Sequence, residues 1–280
     1  TPALSPSRKA TLDMPSIRPA LALSAFVAIL GLGVPSGRAD EPSPLFKFNG
    51  KDMTGLYTYL HNNKYEDPDG VFKVVDGEIR VSGKELGGFI TKGEYENYRL
   101  IAEWRWTGEA LPPRDKAARD SGILVHCVGK DDAYGGHWMQ SMECQLIEGG
   151  SGDFIVVSVP KGEDLRLSSR VRKGGDGQWY FTPDGSGQLR EFDGGRINWW
   201  GRDPEWKDVL GVRGPKDVEK PAGEWNTMEV VCDGDTITNI LNGKVVNAGE
   251  KSTVTKGKIT FQSEYAGIAF RRIEILPLKK

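Results

Sequence analysis

The segments Asp120-Ser121-Gly122-Ile123-Leu124-Val125-His126-Cys127 and Met142-Glu143-Cys144-Gln145-Leu146-Ile147-Glu148 decide the fold. Each alternates with a period of two, the pattern of a strand buried on one face. In the second, Met142, Cys144 and Leu146 point toward a core, and Glu143 and Gln145 stand side by side on the other face. In the first, Ile123, Val125 and Cys127 form the apolar set, which puts His126 on the polar face with Gly122 and Leu124. Of the 3 histidines in the chain, His126 and His137 fall within or between these strands. An ordinary solvated sheet face explains any one of these residues. Together they mark a polar cluster and a candidate site.

The same signals extend outward on both sides. Residues 71–81 read as a hairpin around Asp76-Gly77. Residues 98–106 place Leu100, Ala102, Trp104 and Trp106 on one face and Ile101, Glu103 and Arg105 on the other. Glu103 and Arg105 read either as an exposed ion pair, a weak interaction, or as part of a site. Downstream, residues 223–232 alternate, Asp233-Gly234-Asp235 and Asn242-Gly243 turn the chain, and residues 257–263 and 268–276 close the sheet. About a dozen short strands argue for two packed sheets.

Residues 160–221 differ. They are rich in Gly, Arg, Lys and Asp, with aromatic islands at Trp179-Tyr180-Phe181, Trp199-Trp200 and Trp206. A structureless loop this long is unusual in a compact domain, so we read short strands and turns, packed down by the aromatics. Indole faces also suit sugar rings, a second role open to these tryptophans.

Composition bounds the function. The chain has 280 residues with a formal net charge of −2, so no basic footprint points to nucleic acid. The first 39 residues read as an export signal with an upstream extension. Arg8, Lys9 and Arg18 precede an apolar run from Ala20 to Leu32, small residues follow, and cleavage is expected after Ala39. Met14 reads as the start. The run is shorter than the about 20 apolar residues of a membrane-spanning helix, and no later span is expected. Residues 40–280 then form a single β-sandwich domain with an insertion around 160–221, secreted or periplasmic. The 3 cysteines, Cys127, Cys144 and Cys232, all take apolar positions and read as buried thiols, with a Cys127–Cys144 bridge left open.

Several segments together resemble the 3-keto-disaccharide hydrolase domain family. They are Phe48-Asn49-Gly50-Lys51-Asp52-Met53-Thr54-Gly55, Asp120-Ser121-Gly122-Ile123, Glu143-Cys144-Gln145-Leu146, Gly223-Glu224-Trp225-Asn226 and Leu241-Asn242-Gly243. Leu56 departs from the family's usual Trp, and Asp120 from its usual Asn. The resemblance implies an all-β, two-sheet jelly-roll sandwich of the concanavalin A-like lectin/glucanase type, with a carbohydrate substrate on its concave face. It also implies cleavage of glycosides that carry a ketone at carbon 3. The ketone acidifies the proton on carbon 2, so a base can remove it and the group on carbon 1 can leave.

For that chemistry Glu143 or His126 is the candidate base, with Gln145 and Arg105 orienting oxygens. Asp120, Glu103, Tyr134, His137 and Trp138 are the candidate sugar contacts. Two other readings use the same residues. Glu143-Cys144-Gln145-Leu146-Ile147-Glu148 looks like the strand of retaining glucanases, whose carboxylates stand about 5–5.5 Å apart; a bulge would have to bring Glu148 beside Glu143. Alternatively the sandwich is a carbohydrate-binding module without turnover. No cofactor is required, and no phosphate-binding glycine loop joins a strand to a helix. Asp131, Asp132, Glu148 and Asp153 are candidates for a structural calcium.

Overall fold

The computed structural model describes residues 43–278, so the expected signal segment lies outside the described residues. Every helix-or-strand element within them is a β-strand. In chain order these are β1 (Phe46–Lys47), β2 (Leu56–Leu60), β3 (Phe72–Val75), β4 (Glu78–Val81), β5 (Gly87–Thr91), β6 (Tyr98–Ala110), β7 (Asp120–Val128), β8 (Gln140–Ile147), β9 (Phe154–Val157), β10 (Leu167–Lys173), β11 (Trp179–Phe181), β12 (Gln188–Phe192), β13 (Gly195–Ile197), β14 (Asn226–Asp233), β15 (Thr236–Leu241), β16 (Lys244–Gly249), β17 (Lys258–Ser263) and β18 (Ala266–Pro277).

They pair antiparallel into two large sheets. One runs β16-β15-β14-β6-β18-β4-β3, with β1 also on β18; the other runs β13-β9-β8-β7-β17-β5-β2. The chain crosses repeatedly between them, giving the jelly-roll sandwich. One core lies between the sheets, with Trp104, Phe270 and Met228 from the first and Ile123, Met142 and Phe261 from the second. Aromatic contacts join the layers. Phe89 and Phe261 stack at 4.7 Å, and Phe270 meets both edge-on at 5.6 and 5.2 Å. Aromatic pairs in these geometries add to what their area burial contributes.

The turns follow their sequences. Asp76 and Gly77 both take positive φ between β3 and β4, and Asn242 and Gly243 do so between β15 and β16. Such pairs match the twist of the flanking strands. The 160–221 excursion carries four short strands, β10 to β13, joined by turns. β10, β11 and β12 form a three-stranded sheet, and β13 extends the second large sheet beside β9. Leu167, Val171, Phe181, Phe192 and Trp199 from this excursion join the core. Trp200 and Trp206 donate through Nε1 to the carbonyls of Val245 and Glu148, at 2.9 and 3.0 Å.

One face assignment is corrected. The pairing of β7 with β8 shifts between Val125 and Val128, and His126 takes a φ of 52°. This β-bulge puts two residues against one and inverts the alternation beyond it. His126 therefore turns inward, edge-on to the buried Tyr98 at 5.9 Å, with Nδ1 3.0 Å from the carbonyl of Val254. Cys127 turns outward and packs with Leu124, Trp138 and Met139 in a second, smaller cluster. Cys144 and Cys232 stay in the main core, and all three thiols are buried and free. Burial pushes Cys127 and Cys232 up to about 12, so they remain thiols.

His126 generates a pH-dependent test. Burial holds its imidazole at about 4, below the ordinary 6.5, while the Val254 carbonyl opposes this. The unfolded chain therefore takes up the proton first, and stability is lost as pH falls from about 6.5 toward about 4. The loss approaches about 3 kcal/mol by linkage. In urea titrations, the stability advantage of wild type over His126→Asn, which keeps a residue tolerant of positive φ, is expected to shrink by that order between neutral pH and pH 4. An advantage independent of pH contradicts the neutral, inward His126.

Candidate active site

The outer face of the second sheet can be followed strand by strand. One transverse row, every neighbour in register, reads Tyr57, Ile90, Thr260, Leu124, Glu143, Ile155 and Arg196. The next row holds Tyr59, Gly88 and Gln262 on one side and Gly122 and Gln145 on the other. Beyond it, Asp120 bridges to Glu264, the residue just after β17. Three carboxylates therefore gather on one face: Asp120, Glu143 and Glu264.

Burial governs their ionisation. Glu143 is 4% exposed and Asp120 6%, while Glu264 is partly buried. Desolvation pushes Glu143 up to about 8, and the charge of Asp120 adds to this against the pull of Arg196. Burial also drives Asp120 and Glu264 upward, and the charge of Asp120 adds to the rise at Glu264; Arg114 and Arg196 oppose the rise in both. Carboxylates this close cannot all carry charge in a poorly hydrated place. Asp120 is fixed from two sides: Gln145 Nε2 donates to Oδ1 at 2.5 Å and Arg114 Nη2 to Oδ2 at 2.9 Å. Arg114 is itself anchored by Asp208, and Arg196 by Asp153 at 2.7 Å.

Gly122 makes room at the centre. A Cβ there would fall 2.3 Å from Gln262 Oε1 and 2.3 Å from Glu143 Oε1, so the two side chains converge over the glycine. Gln262 is fully buried, and its Nε2 and Oε1 make no hydrogen bond of normal geometry within the protein, although its nearness to Glu143 favours the ionised carboxylate and tempers the rise there. A buried amide left unpaired is costly and points to a ligand or water. Trp138 packs on Leu124, the neighbour of Glu143 in its row, and on Cys127, and donates through Nε1 to the carbonyl of Gly87 at 2.9 Å. His137 stands edge-on to Trp138 at 4.3 Å, and Tyr134 stacks on it at 6.4 Å.

The structure thus brings Glu143, Gln145 and Asp120 together, with Trp138, His137 and Tyr134 along the border. It leaves His126 inside. Glu103 and Arg105 lie on the other sheet, across the core and facing outward. Glu103 pairs with Arg271 at 2.6 Å, and Arg105 with Glu78 at 2.9 Å, because their neighbours Trp104 and Trp106 take the buried face. Glu148 is also placed elsewhere. No bulge interrupts the pairing of β8 with β7 between Met142 and Ile147, so Glu148 does not return beside Glu143. Its two carboxylate oxygens accept from Arg119 at 3.1 and 3.0 Å, and Gly211 N donates to Oε2 at 3.1 Å.

Of the calcium candidates, Asp153 accepts from Arg196, Arg202 and Trp199 N, and Asp131 from the hydroxyls of Tyr57 and Tyr65. Among the described residues no group of three or more His, Cys, Asp or Glu is arranged to hold a metal ion. Gln262, Glu264, Arg114 and Arg196 are the site residues that the sequence reading missed. The alternation Thr260, Gln262, Glu264 was the signal for the first two.

The fold is a jelly-roll sandwich, and the family that the chain matches makes it a carbohydrate-active domain. The family model of the 3-keto-alpha-glucoside-1,2-lyase-like domain matches residues 42–276, and the chain belongs to that family. Curated proteins gave no match. Similar solved structures include a Parabacteroides distasonis ATCC 8503 protein described provisionally as a glycosyl hydrolase (21% identity, 85% of this chain and 100% of that one, TM-score 0.47). They also include a Bacillus licheniformis beta-glucanase (14% identity, 83% and 98%, TM-score 0.43) and the carbohydrate-binding module CBM66 from Bacillus subtilis (10% identity, 80% and 97%, TM-score 0.40).

The glycine at the centre yields a direct test. Gly122→Ala is expected to force Glu143 and Gln262 apart while costing less than about 3 kcal/mol of stability, the usual scale of local overpacking. Its signature is loss of ligand binding or turnover in a protein that still unfolds cooperatively. Wild-type function in Gly122→Ala contradicts the convergence.

Proposed function

We propose that this protein cleaves 3-keto-glycosides by removing the proton on carbon 2 and expelling the group on carbon 1. The observation that carries this reading is a buried glutamate at about 8, Glu143, converging on the unpaired amide of Gln262. A base works best when its pKa lies near the operating pH. An amide N–H with no normal hydrogen bond within the protein suits an oxygen on which charge develops.

In the first half of the reaction the Glu143 carboxylate takes the carbon-2 proton, and the electron pair moves onto the carbon-3 oxygen, where Gln262 Nε2 donates. In the second half the enolate collapses, a double bond forms between carbons 1 and 2, and the bond from carbon 1 to its oxygen breaks. Glu264, kept protonated by burial and by its acidic neighbours, gives its proton to the departing oxygen. Gln145 and Arg114 hold Asp120, and Arg196 balances the charge left on the face. Addition of water across the new double bond then makes the net reaction a hydrolysis. Family membership supports the substrate class. The Glu143/Glu148 glycosidase pair gains no support, since Glu148 is held by Arg119 and Gly211.

The test is turnover of a 3-keto disaccharide beside its unoxidised parent in deuterated water. The keto form alone is expected to be cleaved, with exchange at carbon 2. Glu143→Gln should lower kcat/KM by about 10²–10⁴-fold, the usual contribution of a general base, and should abolish exchange. Because Glu143 must be ionised to act, kcat/KM should rise with pH up to about 8. Cleavage of the parent, or full turnover by Glu143→Gln, overturns the mechanism. Binding without any cleavage makes the protein a carbohydrate-binding module.

A further inference from the structure

The face that carries Glu143 continues to the sheet edge at β2, where it ends in a hollow of about 440 Å³. That volume is of the size in which small molecules bind. Tyr59, Tyr65, Lys64, Asp131, Asp132 and Lys258 are among its lining residues. Tyr57 and Tyr59 point to this face because Leu56 and Leu60 of the same strand enter the core. Tyr65 lies over both, edge-on to Tyr59 at 5.1 Å and tilted against Tyr57 at 6.3 Å, and is still 62% exposed.

An exposed aromatic ring is usually free to swing. This one is held. Asp131 accepts from the Tyr65 hydroxyl at 2.9 Å and from the Tyr57 hydroxyl at 2.6 Å, and Lys258 Nζ donates to the Tyr57 oxygen at 3.0 Å. Lys258 also lies over the Tyr57 ring at 4.7 Å, and Lys64 over the Tyr59 ring at 5.4 Å. The result is a fixed aromatic surface rimmed by both donors and acceptors. Preorganisation of this kind lowers the entropy lost on binding. A flat apolar ring beside charges of both signs suits a ligand with one apolar face and a hydroxyl-bearing rim.

We propose that this hollow binds a neutral pyranose ring on the leaving-group side of the substrate, with Tyr65 as its stacking platform. Tyr59 and Gln262 both pair with Gly88, which separates their strands by two spacings, or about 10 Å. A ring seated on Tyr65 is therefore a different ring from the one that reacts beside Gln262. The loop between β7 and β8 supplies Asp131 to the hollow and Trp138 to the border of the acid cluster, so one segment touches both. The assignment to the leaving-group side rests on the reading of the acid cluster as the reacting centre; the binding of a pyranose does not.

The experiment uses maltose and methyl α-glucoside as probes against protein with isotopically labelled tyrosine rings, in wild type, Tyr65→Ala and Glu143→Gln. The ring signals of Tyr59 and Tyr65 are expected to shift on adding either sugar to wild type and to Glu143→Gln. Tyr65→Ala should weaken binding by about tenfold, the order of one lost stacking contact. With a 3-keto disaccharide, Tyr65→Ala should raise KM by a similar factor with a much smaller change in kcat, the mark of lost uniform binding. An unchanged melting temperature shows that the exposed Tyr65 is dispensable for folding. Tyrosine shifts without any turnover of keto substrates keep the hollow and remove the reaction. Turnover with no tyrosine shift, and with wild-type KM in Tyr65→Ala, removes the hollow and keeps the reaction.

Discussion

Three carboxylates on one poorly hydrated sheet face cannot all be ionised, and the surroundings of the site answer that constraint. Asp120 faces Arg114, Glu143 feels Arg196, and each arginine is anchored by a further acid, Asp208 or Asp153. Asp153 is fully buried and held by two arginines and a backbone amide. Breaking a buried pair of this kind strands a charge, so such pairs persist as units. The cationic groups come from the loop before β7 and from the long excursion after β9. The excursion therefore does more than decorate the sandwich, since its strand β13 carries Arg196 to the row that holds Glu143.

The hydrophobic core fixes where these acids stand. Met142, Cys144 and Leu146 of β8 are buried, and alternation then forces Glu143 and Gln145 outward. In β17, Ile259 and Phe261 are buried in the same way, which sends Thr260 and Gln262 to the shared face. Gly122 lies between them because any side chain there would occupy the space that Glu143 and Gln262 share. The site is thus a consequence of strand period, register and one missing Cβ. Its reactivity follows from burial, which brings Glu143 into a range useful at neutral pH.

Much of this was legible in the sequence. The alternation of β8, the Asp-Gly and Asn-Gly turns and the buried face of β6 follow from local pattern alone. Two kinds of information were not local. The bulge at His126 has no glycine or proline to announce it, and a histidine at positive φ is uncommon; strict alternation therefore assigned His126 and Cys127 to the wrong faces. The partners of each strand could not be read either. Glu103 and Arg105 do face outward from their strand as expected, but that strand sits in the opposite sheet. Gln262 and Glu264 alternate in plain view near the C-terminus, and only the pairing of β17 with β7 gives them meaning.

Burial and mutual repulsion raise this acid cluster out of the normal carboxylate range. A carbon-13 titration of the Asp and Glu carboxyl signals, with Glu143 assigned through Glu143→Gln, tests this most directly. A Glu143 midpoint near 8 is expected, with a downward shift of the Glu264 signal in the variant because the repelling charge of Glu143 is gone. A Glu143 midpoint near the ordinary value of about 4.3, with the Glu264 signal unaffected by the substitution, would contradict it.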